Sequence, residues 1–258
     1  MKKQGFMRAA VTLSMATACV LTAACDRPSD EQIAAPAFNI SFRWSAEANV
    51  DLQSAGLKSA RAAIESNLVG EYLGVEYTYP GFPEFSDLAR LSRNRGYTPG
   101  RPRLVEGVGT AYFHVIQRKS LGDHQAYYVC RDLTGTARKD GSSYPYPDAE
   151  NIAETFDVVD VLVSSSPLPF DNRGNGTGTT KSPLSPLVKP EAPNRHSRPT
   201  GIVFVIDTVT FYAPSKSAVD ETPCAQWFEQ RWGTRDVPTP KRRVDEAPVV
   251  EPFTPGWE

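Results

Sequence analysis

The amino-acid sequence predicts an α+β domain in which N-terminal helices pack on one side of a curved, mainly antiparallel sheet of about four strands. Three observations support this class. The spacing of apolar residues changes from alternation to a helical period and back to alternation, the helical segments precede most of the strands, and the strands begin with a long hairpin. Helices followed by antiparallel strands are typical of α+β folds.

The first elements are a short strand and a helix. Residues 38–44 alternate between apolar and polar side chains, which predicts a strand. Apolar residues then recur at intervals of three and four over residues 57–72, which predicts a helix that ends near Gly74. A second helix is predicted over residues 86–96, with a serine as its N-terminal cap and a glycine at its end.

The strands of the sheet follow these helices. Residues 103–119 and 124–134 flank a Leu-Gly-Asp turn and predict a hairpin. Residues 155–164 predict a third strand, and residues 201–213 predict a fourth. The segment CAQWFEQRW, residues 224–232, predicts a short helix or turn that closes the domain.

Two segments rich in proline are predicted to be disordered. Residues 164–200 contain seven prolines and the run GNGTGTT, which predicts a mobile excursion between strands. Residues 233–258 contain five prolines, which predicts an extended tail. The expected organisation is therefore a single α+β domain over residues 38–232, with this excursion inside it and the tail after it.

The N-terminal residues predict export. After three basic residues, residues 9–24 contain no charge. A helix of that length spans roughly 24 Å, less than the roughly 30 Å of a membrane's hydrocarbon core. A basic start, a short apolar run and small residues at its end are typical of a signal peptide, here residues 1–24.

The cysteine that follows predicts a lipid anchor. Residues 22–25, Thr-Ala-Ala-Cys, resemble the bacterial lipobox, in which the cysteine is acylated and becomes the mature N-terminus. The leucine of that motif normally stands three residues before the cysteine, whereas Leu21 stands four before Cys25. Ordinary cleavage with secretion and an uncleaved anchor therefore stay open, and Cys19 ends a second short candidate site. Residues 25–37 would form a lipid-anchored tether, so the expected partner is the membrane.

Composition argues against nucleic acid as a partner. Removal of residues 1–24 takes away three basic residues and no acidic one, which leaves 25 basic and 30 acidic residues and a formal charge of −5. A chain of that charge has little attraction for nucleic acid or for anionic lipid headgroups.

The remaining cysteines predict one disulfide. With Cys19 in the signal peptide and Cys25 carrying lipid, Cys130 and Cys224 form the remaining pair in an oxidising compartment. The alternatives are a catalytic thiol or a metal ligand. Neither cysteine lies in a CxxC motif or next to a histidine, so a Cys130–Cys224 bond is the expectation.

Three stretches resemble known proteins. The segments WSAEANVDLQSAGLKSARAAIES, YPGF and YYVC resemble small, mostly uncharacterised exported lipoproteins of actinobacteria. The order of elements also resembles the nuclear-transport-factor-two-like cone fold, in which helices cap a bent sheet and leave a pocket. The cone resemblance implies a pocket beneath the sheet, and it implies no single function, because such folds include both enzymes and binding modules.

Four residues are candidates for catalysis. His114 and Tyr112 share one face of a predicted strand, and Asp132 and Tyr127 lie in its partner. Inside a cone, a tyrosine and a carboxyl group could polarise a carbonyl and move a proton. The structural alternative is that they are half-buried sheet residues with polar tips in solvent.

No metal or cofactor is expected from the sequence. The three histidines lack the spacing of metal ligands. In the segment that resembles a phosphate-binding loop, Thr180 stands where such a loop needs a glycine before its lysine.

The sequence therefore favours a lipid-anchored cell-envelope protein that binds a ligand or another envelope protein without catalysis. A small apolar molecule is one expected ligand. The alternative is an exported enzyme, isomerase-like or hydrolase-like, with a cone-shaped pocket.

Acylation at Cys25 gives the first prediction. The variant Cys25→Ala should lose incorporation of labelled fatty acid and move from the membrane fraction to the soluble fraction, because lipobox processing requires the thiol. Cys19→Ala is the matched control and should change neither property. Unchanged fractionation and unchanged mass for Cys25→Ala would contradict the lipid anchor.

Overall fold

The computed structural model describes residues 37–83, 105–118, 124–144, 156–164, 188–204, 209–212, 223–235 and 246–258. They belong to one compact unit, Ala35–Glu258. The predicted signal peptide, the cysteine that was predicted to carry lipid, the predicted second helix over residues 86–96 and the predicted hairpin turn lie outside the described residues. Of the predicted tether, only residue 37 lies within them.

The core of the fold is a mixed β-sheet. Its strands are β1 (Phe38–Ala46), β2 (Gly107–Gln117), β3 (His124–Asp132), β4 (Thr136–Arg138), β5 (Phe156–Ser164) and β6 (Val209–Tyr212). They lie in the order β1-β2-β3-β5-β6, and β4 pairs with β2 beyond the end of β3. The predicted hairpin is confirmed, since β2 and β3 are antiparallel. The α+β class agrees with this arrangement.

The first strand pairs in parallel with its neighbour. Phe38 to Ala46 run alongside Gly107 to Val115 in the same direction, whereas the other strand pairs are antiparallel. The connection between β1 and β2 contains helix α1 (Ala55–Leu73), followed by a short 3-10 helix (Val75–Tyr77). A long connection with a helix is what allows two neighbouring strands to run in the same direction.

The two described helices lie on opposite faces of the sheet. α1 shares a hydrophobic core with Val115 and Val129, whereas α2 (Cys224–Trp232) packs through Phe228 against Ile116 and Cys130. Successive residues of a strand point to opposite faces, so these two clusters are on different sides. The expectation of helices on one side concerned the N-terminal helices, and α2, where the sequence predicted a short helix or turn, covers the other face.

The predicted disulfide is confirmed. Cys130 of β3 is bonded to Cys224, the first residue of α2, with their Cα atoms 5.5 Å apart. The bond closes a loop across a sequence separation of 94 residues. The chain-entropy model gives about 4–5 kcal/mol for a loop of that size, through the constraint on the unfolded chain. The disulfide therefore attaches α2 to the centre of the sheet.

Parts of the chain that were expected to be disordered are packed. Residues 188–204 and 246–258 lie against α1 and β1, and Phe253 and Trp257 are buried. Residue 254 pairs with the outer edge of β1, where Trp44 donates a backbone hydrogen bond to the Thr254 carbonyl at 2.7 Å. The disorder expectation is wrong for these described residues, because α1 is buried on nearly all sides and needs a second cover.

The fourth strand is shorter than predicted. Residues 201–204 form no strand, and Ile202 is 56% exposed, whereas β6 begins at Val209. The expectation of one strand over residues 201–213 is therefore wrong for its first part. Val203 and Phe204 pack instead near Ala62 and Tyr79, on the side of α1 away from the sheet, which accounts for their apolar character.

A buried ion pair connects α1 to its surroundings. Arg61 and Glu65 are each 1% exposed, and Nη2 of Arg61 lies 3.9 Å from Oε1 of Glu65. Trp44 Nε1 donates to Oε1 at 2.7 Å, while Tyr79 Oη and Trp257 Nε1 donate to Oε2 at 2.5 and 2.9 Å. Burial raises the pKa of Glu65, and Arg61 together with these donors opposes that shift.

The contact between Trp257 and Glu65 gives a prediction for stability. Trp257→Phe keeps an aromatic ring but removes the donor to Glu65 Oε2, so the free energy of unfolding should fall by about 1–3 kcal/mol, the range for a hydrogen bond to a charged group. The control is Val249→Ala, at a side chain 76% exposed in the same segment, which should change it by less than about 0.5 kcal/mol. Urea denaturation measures both, and equal midpoints for the two variants would count against this contact.

Candidate functional site

A cleft opens on the face of the sheet that α2 covers. Its volume is about 390 Å³, within the size range of small-molecule sites. It is lined by residues from β1, β2 and α2 and by residues 251 and 254 of the C-terminal segment. Four parts of the chain that are distant in sequence therefore meet there.

Alternation along the strands explains which side chains reach the cleft. Phe42 and Phe113 face the core beneath α1, so their neighbours Arg43 and Tyr112 face the opposite side. On that side the Cys130–Cys224 bond fixes the start of α2. The helix then places Trp227 and Arg231, four residues apart, at the same wall.

One side of the cleft is held by the carboxylate of Glu251. Arg43 Nε lies 3.0 Å from Glu251 Oε2, and the Tyr112 hydroxyl donates a short hydrogen bond to Oε1. Nη1 of Arg43 also donates to Glu191 Oε1 at 2.7 Å and to the Pro252 carbonyl at 2.6 Å. Burial raises the pKa of Tyr112, and the bond to Glu251 adds to the shift, so its hydroxyl stays protonated at neutral pH.

The opposite side is held by the buried carboxylate of Asp132, which is 0% exposed. Its Oδ2 accepts hydrogen bonds from Arg231 Nε at 2.8 Å and from Trp232 Nε1 at 3.2 Å. Its Oδ1 accepts from the backbone N–H and the hydroxyl of Thr134 at 2.9 and 2.6 Å. The guanidinium of Arg231 also lies 3.4 Å from the centre of the Tyr112 ring.

A serine and a histidine meet beside Trp227. Ser45 Oγ is 2.8 Å from His114 Nδ1 and 3.2 Å from the Phe113 carbonyl, to which it donates. The imidazole of His114 stacks on Trp227 with ring centres 5.6 Å apart and planes 9° apart. Burial lowers the pKa of His114, and the negative charge of Glu47 opposes that shift. The imidazole is therefore mainly neutral at neutral pH.

The structure brings together three of the four candidates from the sequence. Tyr112, His114 and Asp132 lie on the α2 face, and Tyr112 and Asp132 are partners in the register of β2 and β3. Tyr127 lies on the other face within the core beneath α1, and its hydroxyl donates to Gln125 Oε1 at 2.6 Å. The described cleft is on the opposite face of the sheet from this core, whereas the cone resemblance implies a pocket between the sheet and its N-terminal helices.

Sequence reasoning missed several residues of the cleft. Alternation in β1 gives Arg43 and Ser45 an outward position, which is a signal that could have found them. Trp227, Arg231 and Glu251 carry no such signal, because their place depends on the disulfide and on the docking of the C-terminal segment. Among the described residues, no group of three or more His, Cys, Asp or Glu side chains could hold a metal ion.

Comparisons with protein-family models, with curated proteins and with solved structures found no match. Within the part of the chain that the structure describes, no helix is both long enough and apolar enough to cross a membrane.

The environment of His114 gives a prediction for pH dependence. Its pKa in the folded protein should lie below the usual value of about 6.5, because its charged form is desolvated. The stabilisation from neutral His114 is then present above about pH 6.5 and is lost as the pH falls through the folded-state pKa. A proton NMR titration of the imidazole measures this value.

Glu47→Gln is the matched test of the cause. Since the charge of Glu47 opposes the shift, its removal should lower the pKa of His114 further. A pKa at or above 6.5 in the unmodified protein, or a rise in Glu47→Gln, would show that this account of the site is wrong.

Proposed function

We propose that this protein is an exported, lipid-anchored envelope protein whose domain binds a ligand in the cleft beside α2, without catalysis. The observation that carries the proposal is the way in which the charged side chains of the cleft hold one another. Arg43 is paired with Glu251, and Arg231 is paired with Asp132. Side chains fixed in this way form a preorganised surface, and preorganisation lowers the cost of binding.

The catalytic alternative requires groups that can exchange protons with a substrate. Asp132 is fully buried and accepts four hydrogen bonds, and the Tyr112 hydroxyl donates to Glu251. A general acid or base must reach the proton that it transfers. These two residues serve the structure of the cleft, which supports a binding role.

One observation favours an exported hydrolase as the second candidate. Ser45 lies at the cleft with its Oγ 2.8 Å from Nδ1 of a neutral imidazole, and rotation of the hydroxyl away from the Phe113 carbonyl would give the arrangement of a nucleophile and its base. A fluorophosphonate probe distinguishes the candidates. Modification of Ser45 that depends on His114 would favour the hydrolase, and a lack of modification would favour the binding module.

The binding proposal is tested by thermal shift with a panel of short peptides, monosaccharides, sugar acids and small apolar compounds. At least one class should raise the melting temperature of the exported protein. Ser45→Phe should abolish the effect, because the larger side chain would fill the cleft that Ser45 lines. Gln226→Phe, at an exposed position of α2 outside the cleft, is the matched control and should keep it. A panel that shifts neither the unmodified protein nor the control counts against a binding role for the cleft.

A further inference from the structure

We infer that the cleft recognises its ligand through a carboxylate, which the guanidinium group of Arg231 binds. This inference rests on the proposed binding function and names the chemical class of the ligand. Two observations carry it: the fixed position of Arg231 and the hydrogen-bonding capacity that remains in the cleft. The balance of charge around the cleft then disfavours a dianion relative to a single negative charge.

Arg231 is held in one position before any ligand arrives. Its Nε donates to Asp132, a buried carboxylate that is itself fixed by Thr134 and Trp232. The plane of the guanidinium is supported by the ring of Tyr112, whose centre is 3.4 Å from the guanidinium carbon. The Cys130–Cys224 bond holds the other end of the same helix. Little side-chain entropy is therefore left to lose when the guanidinium binds a ligand.

The hydrogen-bonding groups that remain in the cleft are mainly donors. Within the described residues, Arg231 donates through Nε to Asp132 and also forms a hydrogen bond with the Tyr112 hydroxyl, which leaves the rest of its five N–H donors for a ligand. The Arg231 side chain is 26% exposed, so solvent reaches it. Both oxygens of Glu251, by contrast, already accept from Tyr112 and Arg43. A ligand that complements this cleft must supply acceptor oxygens, and a carboxylate matches the two parallel donors of a guanidinium.

The charge around the cleft opposes a dianion more strongly than it opposes a single negative charge. Three carboxylates, those of Asp132, Glu191 and Glu251, are paired with two guanidinium groups. A phosphate carries up to two charges at neutral pH, and the mature chain predicted from the sequence is itself acidic. Such a site attracts a dianion poorly over long distances. A single carboxylate can still bind through short-range hydrogen bonds, with a modest dependence on salt.

Two sources of a carboxylate fit this chemistry: the C-terminal end of a peptide and an acidic sugar. Isothermal titration of the exported protein with two matched pairs distinguishes them. The pairs are N-acetyl-alanyl-alanine and its C-terminal amide, and glucuronic acid and glucose. At least one acid should bind about tenfold or more tightly than its neutral partner, the effect expected from losing a charged hydrogen bond. The pair that shows the difference identifies the source.

Arg231→Lys tests the residue itself. Lysine keeps the positive charge and removes the two parallel donors, so affinity for the preferred acid should fall about tenfold to a hundredfold. Arg235→Lys is the matched control, because Arg235 is 86% exposed, pairs with Glu229 and lies just beyond the same helix. The affinity of Arg235→Lys for the preferred acid should be unchanged. A circular-dichroism melt shows whether each variant is folded.

The inference is overturned if each acid binds no more tightly than its neutral partner, if neither acid binds, or if a folded Arg231→Lys protein keeps its affinity. If Arg231→Lys does not fold, the comparison of the acids with their neutral partners in the unmodified protein decides. The binding function is tested separately from the carboxylate. If a neutral or apolar probe raises the melting temperature and Ser45→Phe abolishes that rise, the cleft is a binding site and only the requirement for a carboxylate is wrong.

Discussion

The described architecture depends on the burial of one carboxylate, that of Glu65 in the middle of α1. Transfer of an ion from water into a protein interior costs several kcal/mol, and the cost is repaid only when the ion is well paired and hydrogen-bonded. Glu65 meets this condition through Arg61, Trp44, Tyr79 and Trp257. These partners come from β1, from the turn after the 3-10 helix and from the last residues of the chain. One buried carboxyl group therefore connects three other segments of the chain to α1.

The position of the C-terminal segment follows from this constraint and extends to the cleft. Trp257 is held at Glu65, and Thr254 pairs with the edge of β1 only a few residues earlier. Glu251 is then placed where it bonds to Arg43 and Tyr112 on the other face of the sheet. The covered edge also protects β1 from pairing with another chain. The C-terminal segment thus completes the core on one face of the sheet, and it forms one wall of the cleft on the other face.

A second fixed point lies at β3, where Cys130 and Asp132 point to the same face. Cys130 is bonded to the first residue of α2, and Asp132 binds Arg231 and Trp232 in its last turn. A nine-residue helix has little stability of its own. Attachment at both ends therefore stabilises α2, which is too short to be stable alone. It also fixes the wall of the cleft that carries Trp227 and Arg231.

The sequence by itself determined the local elements, because they depend on periodicity and on the chemistry of single residues. Strand β1, helix α1, the β2–β3 hairpin and the Cys130–Cys224 bond could all be predicted in this way, as could the shared face of Tyr112 and His114. Only the tertiary structure decided that β1 runs parallel to β2, that α2 lies opposite to α1, and that the proline-rich segments at 188–204 and 246–258 pack. The packing of these segments depends on contacts with Glu65 and with the edge of β1, and both are distant from the segments in sequence. Proline content reports the lack of backbone donors in a segment, whereas the buried partners that hold the segment appear only in the folded chain.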